Sequence, residues 1–552
     1  MANNSTAPVL RDKDEKNQQK KIADINLKFK ERDLKDQAKK SGQKYIDLRS
    51  YPLNQDALQL TNWQQVQKFQ AMPFELKGNI LHLACVNPRD KNCEGISDYF
   101  QNKGYEVEKY ICTRDSLEAA KNYFRSFASK EEFKPLTKIE EKGQEENWQK
   151  MFKEHQETFE KSTGPEMLNK INLLATSFSA SDVHFQPEEE IVKIRFRRDG
   201  ELYEVYQISH KQYLLLSGEI KRFSGLKINI KNLPQDGEYE FEVNERKSSV
   251  RVSTLPSKYG ESIVLRILDP GKALIKLEEL GFSEYNMKLI SETLKKSKGL
   301  ILVAGPTGSG KTSTLYSCLN ILNQPDKKII TLEDPIEYRL KNIIQSEIKE
   351  QENYTFETGL RSVLRQDPDV IMVGEIRDKE AAEIALQASL TGHLVLSTVH
   401  ANDAISTIPR LINMGVKPFI LAAGLELIIS QRLLRRICEN CKYPVVIEAT
   451  VREELDQVVN SLNQKGIQVT ADQIYGAKGC EKCANTKFQG RVAVAEVLVV
   501  NDRIRSLLLA GKSAQEIFNF ASQEGFINIK EDGILKVLQG QTTLEEVWKT
   551  LI

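Results

Sequence analysis

The sequence has no long apolar segment and no excess of charge of either sign. Its 552 residues include 78 lysines and arginines against 77 aspartates and glutamates, so the formal net charge is +1. There is no run of about 18 uncharged apolar residues, and the opening MANNSTAPVLRDKDEKNQQ has no apolar segment of the kind a secretory signal needs. We therefore expect a cytoplasmic protein with only peripheral membrane contact and without nucleic acid as its main partner.

The length predicts roughly three or four domains. Alternating stretches such as IVKIRFRRDGELYEVYQI predict a mixed sheet with one or two helices in the middle of the chain. Further on, the apolar runs LILVAG, KIITLED, DVIMVGEIRD and HLVLSTV alternate with helical segments, which predicts a buried, largely parallel sheet with its ligand at the carboxyl ends of the strands. The predicted units are a charged flexible arm (1–45), a small α/β domain (46–128), a linker (129–163), an α+β domain (164–272), an α/β core (273–435), a tetracysteine subdomain (436–492) and a helical region (493–552).

One glycine-rich segment, GPTGSGKT, predicts a phosphate-binding loop. An apolar strand precedes it and a helical run follows it, which is the context the motif needs. Glycines let successive backbone N–H groups surround phosphate oxygens, the lysine reaches the β and γ phosphates, and the threonine can bind Mg²⁺. The candidate nucleotide-binding residues are Gly305, Pro306, Thr307, Gly308, Ser309, Gly310, Lys311, Thr312 and Ser313.

Two glutamates follow apolar strands downstream of this loop. Glu375 ends DVIMVGE and Glu333 lies in IITLEDPIEY. We expect DVIMVGE to form a strand next to the loop, with Glu375 holding Mg²⁺ and its waters. A carboxylate at a strand end can also polarise the attacking water, and the sequence leaves open which of the two is the general base.

Histidine is scarce, with six in the chain, yet His393 and His400 bracket one apolar strand in TGHLVLSTVHANDA. They can be sensors of the γ phosphate or ordinary polar residues at strand ends.

The eight cysteines are unevenly distributed. Four are scattered and are expected to be buried thiols, whereas Cys438, Cys441, Cys480 and Cys483 form two C-x-x-C pairs. Two such pairs predict a structural zinc site of four thiolates; redox thiols and unrelated core cysteines are the alternatives. We expect the intervening residues, 442–479, to be rich in loops.

In their residues and in their order along the chain, four segments resemble the hexameric secretion ATPases that drive type IV pilus assembly and type II secretion. They are GPTGSGKTSTLY (Walker A), TLEDPIEY (aspartate box), RQDPDVIMVGEIRD (Walker B) and TGHLVLSTVHANDA (histidine box). Upstream, SASDVHFQP, RFRRDG and NLPQDG resemble the family's second amino-terminal domain, although Asn232 replaces a basic residue that many members have. The resemblance covers nearly the whole chain from about residue 46.

The resemblance implies a RecA-like ATPase core with a zinc-binding insert, preceded by a PAS-like domain and a small amino-terminal domain. It implies catalytic roles for Lys311, Glu333, Glu375, His393 and His400, and for Arg251 and Arg266, which reach the nucleotide from the amino-terminal domain. Arg361, Arg365 and Arg377 match motor arginines near the phosphates. ATP, Mg²⁺ and Zn²⁺ are the implied cofactors.

The implied partners are five further copies in a homohexameric ring and a polytopic platform protein of the inner membrane. Pilus assembly is the leading function and type II secretion the alternative. Retraction motors of the superfamily lack the tetracysteine region and the extra amino-terminal domain, so retraction is less favoured, as is DNA transfer given the near-neutral charge. A ring component that binds nucleotide without turnover is disfavoured by the intact Lys311, Thr312, Glu333 and Glu375. The first 45 residues lack the glycine-and-leucine pattern of modules that bind cyclic di-GMP, so that ligand is not predicted.

Overall fold

The computed structural model describes residues 29–128 except 50, 52, 55, 56 and 59, residues 162–268 except 244 and 245, and residues 275–551. Most of the predicted arm and most of the predicted linker lie outside the described residues. Within the described ranges, no helix combines the length and the apolar composition needed to span a bilayer.

The first unit is a four-stranded sheet with helices packed on it, in agreement with the predicted small α/β domain. The strand order is β1-β4-β3-β2, in which only the β2–β3 pair is antiparallel. A helix over residues 29–40 docks on this unit through the buried Glu31, whose carboxylate accepts a hydrogen bond of 2.6 Å from Thr113 Oγ1. The elements are β1 (Lys44–Tyr45), α1 (Trp63–Phe69), β2 (Ala71–Lys77), β3 (Ile80–Cys85), α2 (Lys91–Asn102), β4 (Glu106–Ile111) and α3 (Arg114–Ala128).

The middle unit is a six-stranded sheet with two helices on one face. Its order is β7-β6-β5-β10-β9-β8, and every pairing is antiparallel, so the expectation of a mixed sheet is wrong. Tight turns explain the difference: Asp199 and Gly200 both have positive φ and form the two-residue turn of the β6–β7 hairpin. The elements are α4 (Gly164–Ser177), β5 (Asp182–Pro187), β6 (Val192–Arg198), β7 (Glu201–Ile208), α5 (His210–Phe223), β8 (Gln235–Val243), β9 (Arg246–Ser257) and β10 (Gly260–Leu268).

The third unit contains a seven-stranded sheet in the order β13-β12-β14-β15-β11-β16-β19. All pairs are parallel except β16–β19, which confirms the predicted parallel sheet. The elements are α6 (Glu284–Leu294), β11 (Gly299–Ala304), α7 (Lys311–Leu322), β12 (Ile329–Glu333), β13 (Ile344–Glu347), α8 (Phe356–Val363), β14 (Val370–Val373), α9 (Lys379–Leu390), β15 (Leu394–Val399), α10 (Ala404–Asn413), α11 (Pro418–Gly424), β16 (Leu425–Ile437) and β19 (Phe488–Val499).

Strand β15 lies between β11 and β14 and pairs with both. The DVIMVGE strand is therefore not the neighbour of the strand that leads into the phosphate loop, and that expectation is wrong. All six residues of β11 and all six of β15 are buried, because strands in the middle of a sheet covered on both faces are apolar throughout. The carboxyl ends of β11, β15, β14 and β12 consequently meet at one edge of the sheet.

The segment between the two cysteine pairs is more ordered than predicted. It contains a two-stranded ribbon of β17 (Lys442–Val445) and β18 (Ile474–Ala477) and a 16-residue helix, α12 (Ala449–Gln464), so it is not rich in loops. Leu455 and Leu462 of α12 are fully buried, which shows that this helix has a core of its own to pack on. Four helices follow, as the helical pattern of the last residues predicts: α13 (Asp502–Leu509), α14 (Ala514–Gln523), α15 (Ile529–Leu538) and α16 (Leu544–Leu551).

Candidate functional site

The phosphate loop connects the carboxyl end of β11 to the first residue of α7. Gly308 and Gly310 have φ angles of +80° and +86°, which L side chains rarely adopt. A Cβ atom on Gly305 would lie 2.5 Å from Ser309 Oγ and 2.7 Å from the carbonyl oxygen of Gln431, so only glycine fits there. The loop therefore has the tight turn and the helix N-terminus that phosphate binding requires.

Polar groups of the loop point into a cavity of about 830 Å³, within the usual range for small-molecule sites. Residues 307–313 line it. Ser309 is 4% exposed, and its hydroxyl oxygen is buried without a hydrogen-bond partner. Lys311 Nζ donates hydrogen bonds to the carbonyl oxygens of Gly305 (2.9 Å) and Pro306 (3.0 Å), and burial lowers the pKa of Lys311. An anionic phosphate chain fits this arrangement of donors.

A buried glutamine, which the sequence analysis did not identify, fixes the loop from behind. Gln431 on β16 donates from Nε2 to the carbonyl oxygen of Ser309 (2.7 Å) and accepts a hydrogen bond from Thr314 Oγ1 (2.8 Å). Its side chain thus links the loop and α7 to the neighbouring strand. No sequence signal marks it, because its partners lie more than a hundred positions away along the chain.

Glu333 lies at the end of β12, is 3% exposed and lines the cavity. Its carboxylate accepts hydrogen bonds from Thr331 Oγ1 (2.6 Å), Gln345 Nε2 (3.0 Å) and the hydroxyl of Tyr316. Three donors fix the orientation of this carboxylate, which suits a group that must hold one water molecule in place.

Glu375 follows β14 and also lines the cavity. Its carboxylate contacts the guanidinium of Arg377 and lies 3.5 Å from Nε2 of His400. Burial lowers the pKa of Lys311, and the negative charge of Glu375 opposes this effect by raising it. The structure therefore places Glu375 and His400 at the same cavity as the phosphate loop, and Arg377 lies beside them through its ion pair with Glu375.

The structure does not bring His393 to this site. Its carbonyl oxygen accepts a hydrogen bond of 3.1 Å from the N–H of Gly299, at the beginning of β11, and its Nδ1 lies 3.0 Å from the carbonyl oxygen of Ala388. The two histidines lie at opposite ends of β15, roughly 20 Å apart. The expectation of a catalytic role for His393 is therefore corrected: within this chain it is a polar residue at a strand start.

Arginines of the middle unit reach the same cavity. Arg251 Nη2 donates to the carbonyl oxygen of Ile336 in the aspartate box (2.6 Å), and Arg266 lines the cavity and donates from Nε to Asp182 Oδ1 (3.0 Å). Glu337, another residue that the sequence analysis did not single out, also lines the cavity. Burial in the cleft raises the pKa of Glu337, whereas the positive charges of Arg251 and Arg266 lower it.

Arg361 and Arg365 are outside the cavity. Both are exposed on and just after α8, where Arg361 forms an ion pair of 3.0 Å with Glu357 one helical turn earlier. Arg365 donates from Nη1 to the carbonyl oxygen of Arg361 (3.0 Å). The expectation that they lie near the phosphates is therefore wrong for the nucleotide site of the same chain.

The four paired cysteines form a separate cluster, with all four sulfur atoms within 4.8 Å of one another. Sγ–Sγ distances of 3.8 Å (Cys438–Cys480), 3.9 Å (Cys441–Cys483) and 3.8 Å (Cys480–Cys483) match the edge of about 3.8 Å of a tetrahedron with Zn–S bonds of about 2.3 Å. The cluster can hold a metal ion. The four scattered cysteines are buried, as expected, and none of the eight forms a disulfide.

Comparison with known proteins gives a consistent result. A family model described as "Type II/IV secretion system protein" matches residues 158–549. The type IV pilus assembly ATPase PilB of Thermus thermophilus is 37% identical over 511 residues, which is 92% of this chain and 56% of that protein. The type II secretion system protein E of Pseudomonas aeruginosa is 44% identical over 382 residues, which is 69% of this chain and 74% of that protein.

Among solved structures, the ATPase DotB of Legionella pneumophila superposes with a TM-score of 0.51 at 22% identity, covering 70% of this chain and 95% of that one. At this identity the likeness concerns the fold alone. This chain spans little more than half the length of the Thermus relative, so the relative has a large part that is not matched here.

Proposed function

The chain belongs to the type II/IV secretion system protein family, and from this premise we propose that it is a Mg²⁺-dependent ATPase that drives type IV pilus assembly. The observation that carries the proposal is the convergence of three parts on one cavity: a phosphate loop, two carboxylates from different strands and an arginine from a second unit. A motor needs such convergence, because turnover must be sensed by a domain that can move against the core.

Each residue has a definite part in the proposed reaction. Backbone N–H groups of the loop and Lys311 hold the phosphates, and Thr312 with Glu375 would hold Mg²⁺ and its waters. Bound Mg²⁺ would neutralise charge on the phosphates. Glu333, fixed by three hydrogen-bond donors, orients the attacking water and accepts its proton. His400 and Arg377 lie beside Glu375 and through it sense whether the terminal phosphate is present.

We extend the proposal to the assembly. The chain would work as a homohexamer at the inner face of the cytoplasmic membrane, where it would turn a platform protein. The exposed Arg361 and Arg365 fit the subunit interface of such a ring, where they would approach the nucleotide of a neighbouring copy. Most strands of the three large sheets fall in the predicted units 46–128, 164–272 and 273–435, which supports that domain division. Two strands do not follow it: β1 joins the first sheet from the end of the predicted arm, and β19 joins the core sheet from beyond the two cysteine pairs.

Type II secretion is the second candidate function, because a relative of that class is 44% identical over the 382 residues that it matches. Pilus assembly is favoured because the match to the pilus assembly ATPase extends over more of this chain, including the first unit. Deletion of the gene followed by electron microscopy separates the two: loss of surface pili supports pilus assembly, and retained pili with loss of exported proteins supports secretion.

The ATPase itself is tested with Lys311→Ala in the purified full-length chain. We expect ATP turnover to be lost, because the ammonium that binds the β and γ phosphates is removed. Lys298→Ala is the matched control, since Lys298 is exposed at the opposite end of β11. Unchanged turnover in Lys311→Ala would contradict the proposal.

A further inference from the structure

Five charged residues, Arg197, Asp182, Arg266, Arg251 and Glu238, form one row across the middle sheet. Asp182 on β5 lies directly opposite Arg197 on β6 and Arg266 on β10, and Arg266 lies opposite Arg251 on β9. Residues paired directly across strands point to the same face of a sheet. The residues that alternate with them, such as Val183 and Leu265, are buried in the core against α4 and α5, so the row lies on the opposite face.

This face borders the nucleotide cavity. Asp182, Arg197 and Arg266 line the same cavity as the phosphate loop, and Arg251 contacts the aspartate box. The row carries three positive and two negative charges, because Glu238 on β8 lies directly opposite Arg251. Asp182 and Glu238 flank the pair of Arg266 and Arg251, whereas Arg197 faces Leu202 on its other side and shares Asp182 with Arg266. The part of the row that lines the cavity, Arg197, Asp182 and Arg266, therefore keeps one net positive charge, to which a chain of phosphates is complementary.

One carboxylate of the row, that of Asp182, lies between the two cavity-lining arginines. Asp182 is 6% exposed, and its Oδ1 accepts a hydrogen bond of 3.0 Å from Arg266 Nε. Its Oδ2 accepts one of 2.8 Å from Ser181 Oγ and lies 3.8 Å from Arg197 Nε. Arg197 also donates from Nη1 to the carbonyl oxygen of Gly200 (2.7 Å). Asp182 therefore fixes the guanidinium of Arg266 by a hydrogen bond and attracts that of Arg197 through a longer ion pair.

We propose that Arg197 is a further phosphate-binding arginine of the nucleotide site, supplied by the middle unit, and that Asp182 is the positioning residue that orients Arg197 and Arg266. The resemblance to the secretion ATPases assigns only Arg251 and Arg266 to this task, and the inference rests on the proposed ATPase function. A guanidinium with five donors suits the terminal oxygens of a phosphate chain.

The test is steady-state kinetics and binding of a non-hydrolysable ATP analogue, using the full-length protein. Arg197→Ala should lower kcat/KM and weaken analogue binding roughly tenfold to hundredfold, because it removes a charge-assisted hydrogen bond. Arg197→Lys should recover part of the loss. Arg195→Ala is the matched control: Arg195 lies two residues earlier on the same face of β6, outside the cavity, and its removal should change kcat/KM by less than about twofold.

A double-mutant cycle tests the positioning role. Asp182→Asn should also lower kcat/KM, and the further effect of Arg197→Ala in that background should be smaller than in the wild-type chain, since the arginine is already misdirected. Equal effects in both backgrounds would overturn the role of Asp182. If Arg197 only stabilises the β6–β7 turn, Arg197→Ala will lower Tm while the binding of the analogue stays as in Arg195→Ala, and the proposal falls.

Failure of the inference can be told from failure of the proposed function. If the wild-type chain hydrolyses ATP and Lys311→Ala does not, but Arg197→Ala matches Arg195→Ala, only the inference is wrong. If the wild-type chain neither binds nor hydrolyses ATP, both are wrong. Should Arg197→Ala fail to fold, analogue binding by Arg197→Lys compared with Arg195→Lys decides: weaker binding by the former supports the proposal, and equal binding overturns it.

Discussion

Two buried polar side chains on neighbouring strands of the core sheet, Gln431 on β16 and Glu496 on β19, hold the nucleotide site and the helices beside it in place. Gln431 contacts the phosphate loop, and Glu496 accepts hydrogen bonds from the N–H groups of Ala404 and Ile529, at the first residues of α10 and α15. Helix α10 follows directly after the histidine box. At the scale of single residues, the site is thus held by groups that touch no substrate.

Gln431→Ala should weaken both stability and nucleotide binding. The carbonyl of Ser309 and the hydroxyl of Thr314 lose their partner, and leaving such buried groups unpaired costs about 1 to 3 kcal/mol. We expect the free energy of unfolding, measured with denaturant, to fall by that amount and the KM for ATP to rise several-fold. Gln515→Ala, at an exposed position of α14, is the control; identical behaviour of the two variants would contradict the role of Gln431.

Glu496 predicts a pH effect on stability. Burial raises the pKa of Glu496 to about 7 from an ordinary value of 4.5, although the backbone N–H groups of Ala404 and Ile529 act in the opposite direction. The folded chain therefore keeps a proton that the unfolded chain releases between these values. This glutamate lowers the free energy of unfolding as pH rises from 4.5 to about 7, by on the order of 3 kcal/mol.

Glu496→Gln removes this titration. Its stability relative to the wild-type chain should increase between pH 5 and pH 8, as measured by denaturant unfolding at both values. Glu545→Gln, at an exposed position of α16, should show the same difference from the wild-type chain at both pH values. A relative stability of Glu496→Gln that stays constant or declines with pH would argue against the buried carboxylate.

At the scale of elements, the capped N-termini of two helices fix the positions of the Walker B box and the histidine box. Asp378 ends the Walker B box and caps α9, because its side chain accepts a hydrogen bond of 2.8 Å from the N–H of Ala381. Asp403, the second-last residue of the histidine box, caps α10 in the same way. Strands β14 and β15 are therefore each followed by a short turn that leads into a capped helix, which keeps Glu375 and His400 at the sheet edge.

Asp378→Ala should reduce the free energy of unfolding by about 1 kcal/mol, because an N-cap side chain is lost. Asp378→Asn keeps a capping oxygen and should stay close to the wild-type value. The measurement is chemical unfolding of the full-length chain. If alanine and asparagine are equally destabilising, the cap is not the cause.

At the scale of the whole molecule, the cysteine cluster lies where the middle unit meets the core. The N–H of Gly490, a few residues after Cys483, donates a hydrogen bond of 3.0 Å to Asp199 Oδ2 in the β6–β7 turn. Lys549 of α16 forms an ion pair with Glu201 of the same hairpin. An ordered cysteine cluster thus stabilises the contact between the core and the β6–β7 turn of the middle unit, in addition to the loops that carry the cysteines.

Metal analysis of protein purified without chelators should find about one zinc ion per chain. Cys441→Ser should lose the zinc and unfold at a lower temperature, because three thiolates no longer close the tetrahedral shell. Cys318→Ser is the control, since Cys318 is buried in the core away from the cluster. Absence of zinc from the wild-type protein would contradict the assignment of the four cysteines as a zinc site.

The sequence by itself determined the features that depend on neighbours within a few residues. The glycine spacing of the phosphate loop, the apolar strands, the cysteine pairs and the helical end of the chain were all read correctly, because backbone conformation and periodic burial are local properties. The order of the four boxes also sufficed to identify the family.

Only the tertiary structure decided which distant residues meet. It inserted β15 between β11 and β14 and left Arg361 and Arg365 outside the cavity. It also joined Gln431 to Ser309 and Arg197 to Asp182. Strand order and register depend on packing between segments far apart in the chain, and no local pattern of residue types carries that information.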